Sequence, residues 1–184
     1  YDAFMVVYKK RWNCIVKGPI TKFIGLDVKF NRTEGFCDIN IPAYISSVYT
    51  KFVPTGYIPR VVPVESQEIL NDLRIASGPA EREQMSFRPY LAALACMIWY
   101  MCAVRPEISF PITALCQYMH DPSPACWDAL LNVISYCYNT RDWHIRFKAN
   151  PTKVPSEFTG TDHQWHIFRK NKLFHGFCDA SWKV

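Results

Sequence analysis

Residues Tyr90–Val104, YLAALACMIWYMCAV, contain no charged side chain, and the run closes on Arg105-Pro106. A run of this kind must be buried on most sides. It is also shorter than the roughly 20 residues a membrane-spanning helix needs, so it predicts the core helix of a globular domain. The spacing predicts a helix over 87–104 whose inward face is Leu91, Leu94, Ala95, Ile98, Met101 and Cys102. Pro106 opens a second helix presenting Ile108, Ile112, Leu115 and Met119. Ser123 as N-cap and Pro124 at the first helical position open a third, burying Trp127, Leu130, Leu131, Ile134 and Tyr138. Three apolar-striped helices joined by short corners predict a small bundle.

The flanks read differently. Thr21–Phe30 alternates apolar and polar side chains, which predicts a strand. Asn31–Gly35 is a turn and Phe36–Ile41 a second strand, together a β-hairpin. Pro42 suits the first turn of a short amphipathic helix over 43–52, striped by Tyr44, Ile45, Val48, Tyr49 and Phe52. Pro54, Pro59 and Pro63 make 53–65 an extended connector. A weak helix is expected over 66–76, and the polar stretch 77–84 reads as loop. Strands are expected at 143–147, 165–168 and 173–178, with a polar loop over 149–164.

Hydrophobic residues make up 49% of the 184 and charged residues 20%, which excludes a disordered chain. The net charge of +5 is unevenly placed. Residues 1–40 hold seven basic and four acidic side chains, 65–128 hold four and eight, and 141–184 hold eight and four. That layout fits a nucleic-acid groove lined by the two ends, and equally an ordinary solvated surface. The eight cysteines form no C-x-x-C pair, so zinc-ribbon and dithiol redox chemistry are not indicated. No signal peptide is evident, and the thiols fit a reducing intracellular setting. His163-x-x-His166 lacks the thiols or carboxylates that would make it a metal site.

Several motifs resemble one family. Arg105-Pro106-Glu107-Ile108, then a helix, Pro122, Trp127, Tyr136 and Thr140 are similar to the R-P-D-I … N-P … H-W … R-Y-L … G-T series of copia-type retrotransposon Pol polyproteins. Phe23-Ile24-Gly25-Leu26 resembles the F-L-G of the reverse transcriptase primer grip, the hairpin that holds the primer end near the polymerase carboxylates. Tyr90, Leu94 and Trp99-Tyr100 resemble the helix that precedes R-P-D-I. Phe174–Trp182 resembles the G-Y-S-D-A-D-W strand that opens the ribonuclease H domain.

The resemblance implies an α+β chain: a primer-grip hairpin with the start of the thumb (1–65), a helical thumb and connection bundle (66–140), and the first strands of a ribonuclease H-like sheet (141–184). It implies that Lys22, Phe23, Gly25, Lys29, Arg88 and Arg105 contact an RNA–DNA hybrid or DNA template–primer. It makes Asp179 the first ribonuclease H carboxylate, a catalytic and metal-binding residue in the intact parent, which would use Mg²⁺. For this chain alone no cofactor is expected. Arg105 has two readings, a phosphate contact or a cap on the carbonyls of the preceding helix. Departures from the family pattern are Cys126 for its His, Ser135 for its Arg, Cys137-Tyr138 for its Leu-Lys, and Ser181 for its second Asp. Loss of those basic residues predicts a weaker grip on the duplex.

The Tyr-x-Asp-Asp polymerase motif is not found in this sequence; Tyr1-Asp2-Ala3 does not match it. The chain is therefore expected to be a piece of a longer product, or a broken copy, that clamps duplex without performing the chemistry. The alternative is a non-catalytic binding module or structural remnant of a decayed element. Expected partners are the nucleic acid and the rest of the polyprotein, with no membrane. The expected location is a cytoplasmic particle or the nucleus.

Overall fold

The structure, a computed structural model, describes residues 2–12, 19–31, 33–58, 60–64 and 66–148. In chain order the elements are α1 (Asp2–Arg11), β1 (Lys22–Phe23), β2 (Leu26–Asn31), β3 (Phe36–Asn40), α2 (Pro42–Phe52), α3 (Gln67–Asn71), α4 (Pro79–Ser86), α5 (Tyr90–Val104), a 3₁₀ turn (Pro106–Ile108), α6 (Ser109–Cys116), α7 (Pro124–Asn139) and β4 (Ile145–Lys148). The result is a mixed α and β chain with one four-stranded antiparallel sheet in the order β1-β2-β3-β4. The chain divides into two compact units, Tyr1–Lys29 with Ile39–Ile145, and Phe30–Asp38 with Arg146–Val184.

The first unit is organised around α7. Cys126, Leu130, Val133, Ile134, Ser135 and Cys137 are at most 1% exposed, so this helix is covered on nearly every side. Burying each large aliphatic side chain is worth roughly 1.5–3 kcal/mol. Ser123 and Pro124 start the helix as expected, although the Ser123 hydroxyl points to Cys126 Sγ at 3.5 Å and does not cap a backbone N–H.

Four helices form the bundle, not three. The hairpin's helix α2 lies against both α5 and α7, with Ile45, Val48 and Phe52 buried. Tyr49 stacks on Tyr138 of α7 with ring centroids 4.0 Å apart, and Tyr44 lies 4.6 Å from Trp99 of α5. The Tyr44 hydroxyl donates to the Cys96 carbonyl at 3.2 Å. Between α5 and α6, the Tyr90 hydroxyl donates to the Leu115 carbonyl at 2.9 Å.

The buried face of α5 differs from the expected one. Tyr90, Ala93, Leu94, Met97, Tyr100 and Val104 point inward, whereas Leu91 is 60% exposed and Ala95 and Cys102 are also exposed. A helix that is apolar all round gives periodicity nothing to phase against. In α6, Ile112 and Leu115 are buried as expected, while Met119, past the helix end, is 42% exposed.

Residues 79–86 are helical where a loop was expected. Pro79 opens α4, and the Glu81 carboxylate reaches back to the Ser77 N–H at 2.8 Å while gripping both Arg74 nitrogens at 2.6 and 2.8 Å. Local polarity hid a helix whose start is capped by its own first turn and whose last turn buries Met85. A bridge between Ile75 and Pro122 ties this region to the corner before α7. The helix expected over 66–76 is confined to Gln67–Asn71.

The stretch expected as one strand over 21–30 is two. Ile24 and Gly25 sit at φ +49° and +84°, the two positive values of a type I′ turn, so β1 folds straight back on β2. The Asn31–Gly35 turn is present; Asn31 Oδ1 accepts from the Glu34 N–H at 3.0 Å, and Gly35 has φ +67°. The expected strand at 143–147 appears as β4, and it lies beside β3 in the hairpin's own sheet. In the second unit Arg146 grips Asp38 through two bonds of 2.7 and 2.8 Å, with its guanidinium 4.0 Å from the centre of the Phe36 ring. The strands expected at 165–168 and 173–178 lie outside the described residues, as does His163-x-x-His166.

Candidate nucleic-acid interface

The β1–β2 hairpin gathers four of the expected contact residues. Lys22 stands opposite Asp27 and Phe23 opposite Leu26. Alternation along a strand then puts Lys22, Asp27 and Lys29 on one face, and Phe23, Leu26 and Val28 on the other. Lys22 Nζ lies 3.6 Å from Asp27, with its side chain 79% exposed, and Lys29 is exposed. An ion pair this open holds little energy and leaves the ammonium available to a phosphate.

At the tip, Phe23 is 55% and Ile24 78% exposed. Ile24 is the one non-glycine residue at positive φ among the described residues. A β-branched side chain there costs roughly 1–2 kcal/mol, since its Cβ crowds the following carbonyl. Gly25 has open space around it, so its glycine serves the turn's backbone angles.

The other expected contacts lie elsewhere. Arg88 is half-buried at the bend between α4 and α5, with Nη1 3.9 Å from Met85 Sδ. Arg105 is 2% exposed. Its Nη1 donates to the Thr140 carbonyl at 3.2 Å, its Nη2 to Thr140 Oγ1 at 2.7 Å, and its Nε to Glu107. Tyr100, Tyr136 and Trp143 surround the guanidinium, with ring centres 6.0, 5.3 and 5.7 Å from it. Of the two readings of Arg105 the capping one is closer, but the helix end it holds is that of α7, not of α5. The motif's Arg, Glu, Tyr and Thr thus meet in one clasp around the buried Arg105 guanidinium. No local pattern in the sequence joins Arg105 to Thr140, 35 positions away.

Ser135 is 0% exposed, and it lies under the connector rather than at the surface. Its hydroxyl donates to the Ile58 carbonyl at 3.3 Å and accepts from the Arg60 N–H at 3.3 Å. One turn before, Asn132 Oδ1 accepts from the Tyr57 hydroxyl at 2.7 Å and from Arg60 Nε at 2.9 Å. One turn after, the Asn139 amide donates to the Arg60 carbonyl at 3.2 Å. Asn132, Ser135 and Asn139 therefore form a polar ladder on α7 that holds Tyr57, Ile58 and Arg60 in place. The Ser135 position faces protein here.

Asp179 lies outside the described residues. Among the described residues no group of three or more His, Cys, Asp or Glu could hold a metal ion. No single described helix is long and apolar enough to cross a membrane.

Comparison with known proteins gives distant relatives only. The chain is 32% identical over 59 residues to secreted RxLR effector protein 161 of Plasmopara viticola, covering 32% of this chain and 42% of that protein. It is 21% identical over 123 residues to the retrovirus-related Pol polyprotein from transposon TNT 1-94 of Nicotiana tabacum, covering 67% and 9%. It is 24% identical over 166 residues to an uncharacterized mitochondrial protein of Arabidopsis thaliana, covering 90% and 57%. The chain thus spans less than two thirds of the length of each of these relatives. No family model and no solved structure matches. Other retrotransposon proteins match at comparably low identity, and the chain is therefore related to the Pol polyproteins of retrotransposons.

Proposed function

We propose that this chain is the part of a retrotransposon reverse transcriptase that grips template–primer duplex, with the β1–β2 hairpin as its primer grip. The observation that carries the reading is the hairpin tip. Phe23 and Ile24 project from a tight turn, Ile24 in a strained conformation, beside exposed Lys22 and Lys29. Apolar side chains suit the sugar and base surface at a strand's end, and lysines suit its phosphates. Strain at an exposed tip is a mark of a site held for a ligand. Relatedness to Pol polyproteins supports the same reading. The polymerase carboxylates would come from elsewhere in the parent polyprotein. Asp179 would belong to a ribonuclease H site that uses Mg²⁺, and the rest of the polyprotein would be a partner. Such a parent would work in a cytoplasmic particle or the nucleus.

The test is binding of the purified chain to a labelled RNA–DNA hybrid across a salt series. Micromolar affinity that falls steeply with salt is expected, and each lysine replaced in Lys22→Gln and Lys29→Gln should lower the log–log slope by about 0.9. A folded chain that fails to bind at low salt, or unchanged slopes in both variants, would overturn the proposal.

A further inference from the structure

The bend between α4 and α5 leaves an open groove of about 710 Å³ in the first unit. The two helices meet there at 64°. Met85, Leu91, Ala95 and Met119 line it, with Arg88 and His120 at its polar edges. Its volume is in the range of sites that take several side chains of a ligand.

Beyond the groove's lining, the outer face of α5 is apolar as well. Leu91, Ala95, Trp99 and Cys102 recur at helical spacing, Leu91 and Trp99 are 60% and 41% exposed, and Phe87 beside them is 87% exposed. No side chain on this face carries charge beyond Arg88. Small Ala92 and Ala95 sit in mid-groove, where an approaching helix needs room.

The charges choose the occupant. The Asp121 carboxylate in the groove wall is already held by Arg82 through bonds of 2.9–3.2 Å. Arg88 is paired with no carboxylate among the described residues; its Nη1 lies 3.9 Å from the Met85 sulfur. The chain's own exposed apolar helix, α1, ends in Lys9, Lys10 and Arg11, which would bring like charge to Arg88.

We propose that this groove binds an amphipathic helix of another protein, with apolar side chains at i, i+4 and i+7 and a carboxylate placed to pair with Arg88. The mode is a helix laid in a hydrophobic groove, with the ion pair setting its direction.

The experiment is selection of displayed random 16-residue peptides on the full chain, with depletion on the Ala95→Arg variant. Ala95 is exposed, so this change blocks the groove without disturbing the core, and circular dichroism checks that the variant stays folded. Enriched peptides should share the apolar spacing and one Asp or Glu. Their affinity should fall more than about tenfold on Arg88→Glu, and return when the peptide's acid is changed to Lys. No enrichment, or peptides that lack the acid or bind both Arg88 forms equally, would overturn the proposal. So would concentration-dependent self-association abolished by Ala95→Arg, which would make a second copy the occupant. Labelled RNA–DNA hybrid is the control ligand: loss of hybrid binding in Ala95→Arg would reassign the groove to nucleic acid.

Discussion

The Arg105 clasp offers the sharpest test of this structure, because a duplex contact and a structural clasp answer differently to one substitution. Arg105→Met keeps most of the side chain's volume and removes its charge and donors. Two things are then lost. The Thr140 carbonyl and hydroxyl lose the donors now at 3.2 and 2.7 Å, and a hydrogen bond from a charged group contributes about 1.5–3 kcal/mol. The three rings lose a desolvated cation, worth about 0.5–2 kcal/mol. Glu107 adds little, because its side chain is 39% exposed and water replaces the arginine there. Methionine's own contacts with the rings return part of the loss. The expected net is about 3 kcal/mol, read as a lower urea midpoint at unchanged slope. A double-mutant cycle with Thr140→Val should show coupling of about 1–2 kcal/mol. Because the guanidinium is shielded from solvent, this loss should persist in 0.5 M salt, unlike that of a surface charge. Hybrid binding by the folded variant should keep its salt slope. A cost below about 1 kcal/mol together with a reduced slope would refute the clasp and restore Arg105 to the nucleic acid.

Three further outcomes are expected. Ile24→Asn should raise thermal stability by the equivalent of about 1 kcal/mol, since Asn tolerates φ +49° better than a β-branched residue; no change in melting temperature would mean the turn relaxes. Ser135→Arg should not strengthen hybrid binding, and should cost more than about 3 kcal/mol in urea unfolding, because the new charge must displace Ile58 and Arg60 or stay buried beneath them. The Arg74 guanidinium and the Ser77 N–H hold the Glu81 carboxyl down from 4.5 to about 2. A depressed folded value means its stabilising effect is complete above pH 4.5 and is lost as pH falls toward 2. Melting temperature measured across that window should fall less steeply in Glu81→Gln than in the parent chain; parallel curves would rule out the Glu81 cap.

Helix positions were legible wherever a start signal met a one-sided stripe. Pro42 before the Tyr44–Phe52 stripe fixed α2, and Ser123-Pro124 before Trp127 fixed α7. The same logic could not orient α5, because a segment apolar on all sides has no preferred face. It also passed over α4, whose helix depends on Glu81 turning back to Arg74 and Ser77. In the candidate interface, the sequence marked Lys22, Phe23, Gly25 and Lys29 as contacts but read 21–30 as one strand, missing the turn that folds it back on itself. Ile24 gives no sign that it adopts positive φ, whereas Gly25 beside it is an ordinary turn residue.

By itself, then, the sequence determined where α2, α5, α6 and α7 lie, that the interior is large and apolar, and that the motifs resemble those of retrotransposon Pol. These are local properties, carried by spacing of three or four residues and by single start and stop residues. Tertiary structure alone decided that Arg105 closes on Thr140, that Ser135 lies under Ile58 and Arg60, and that α2 completes the bundle. Those contacts join residues 35 to 89 positions apart. Their partners are set by how the elements pack, and no local pattern encodes that.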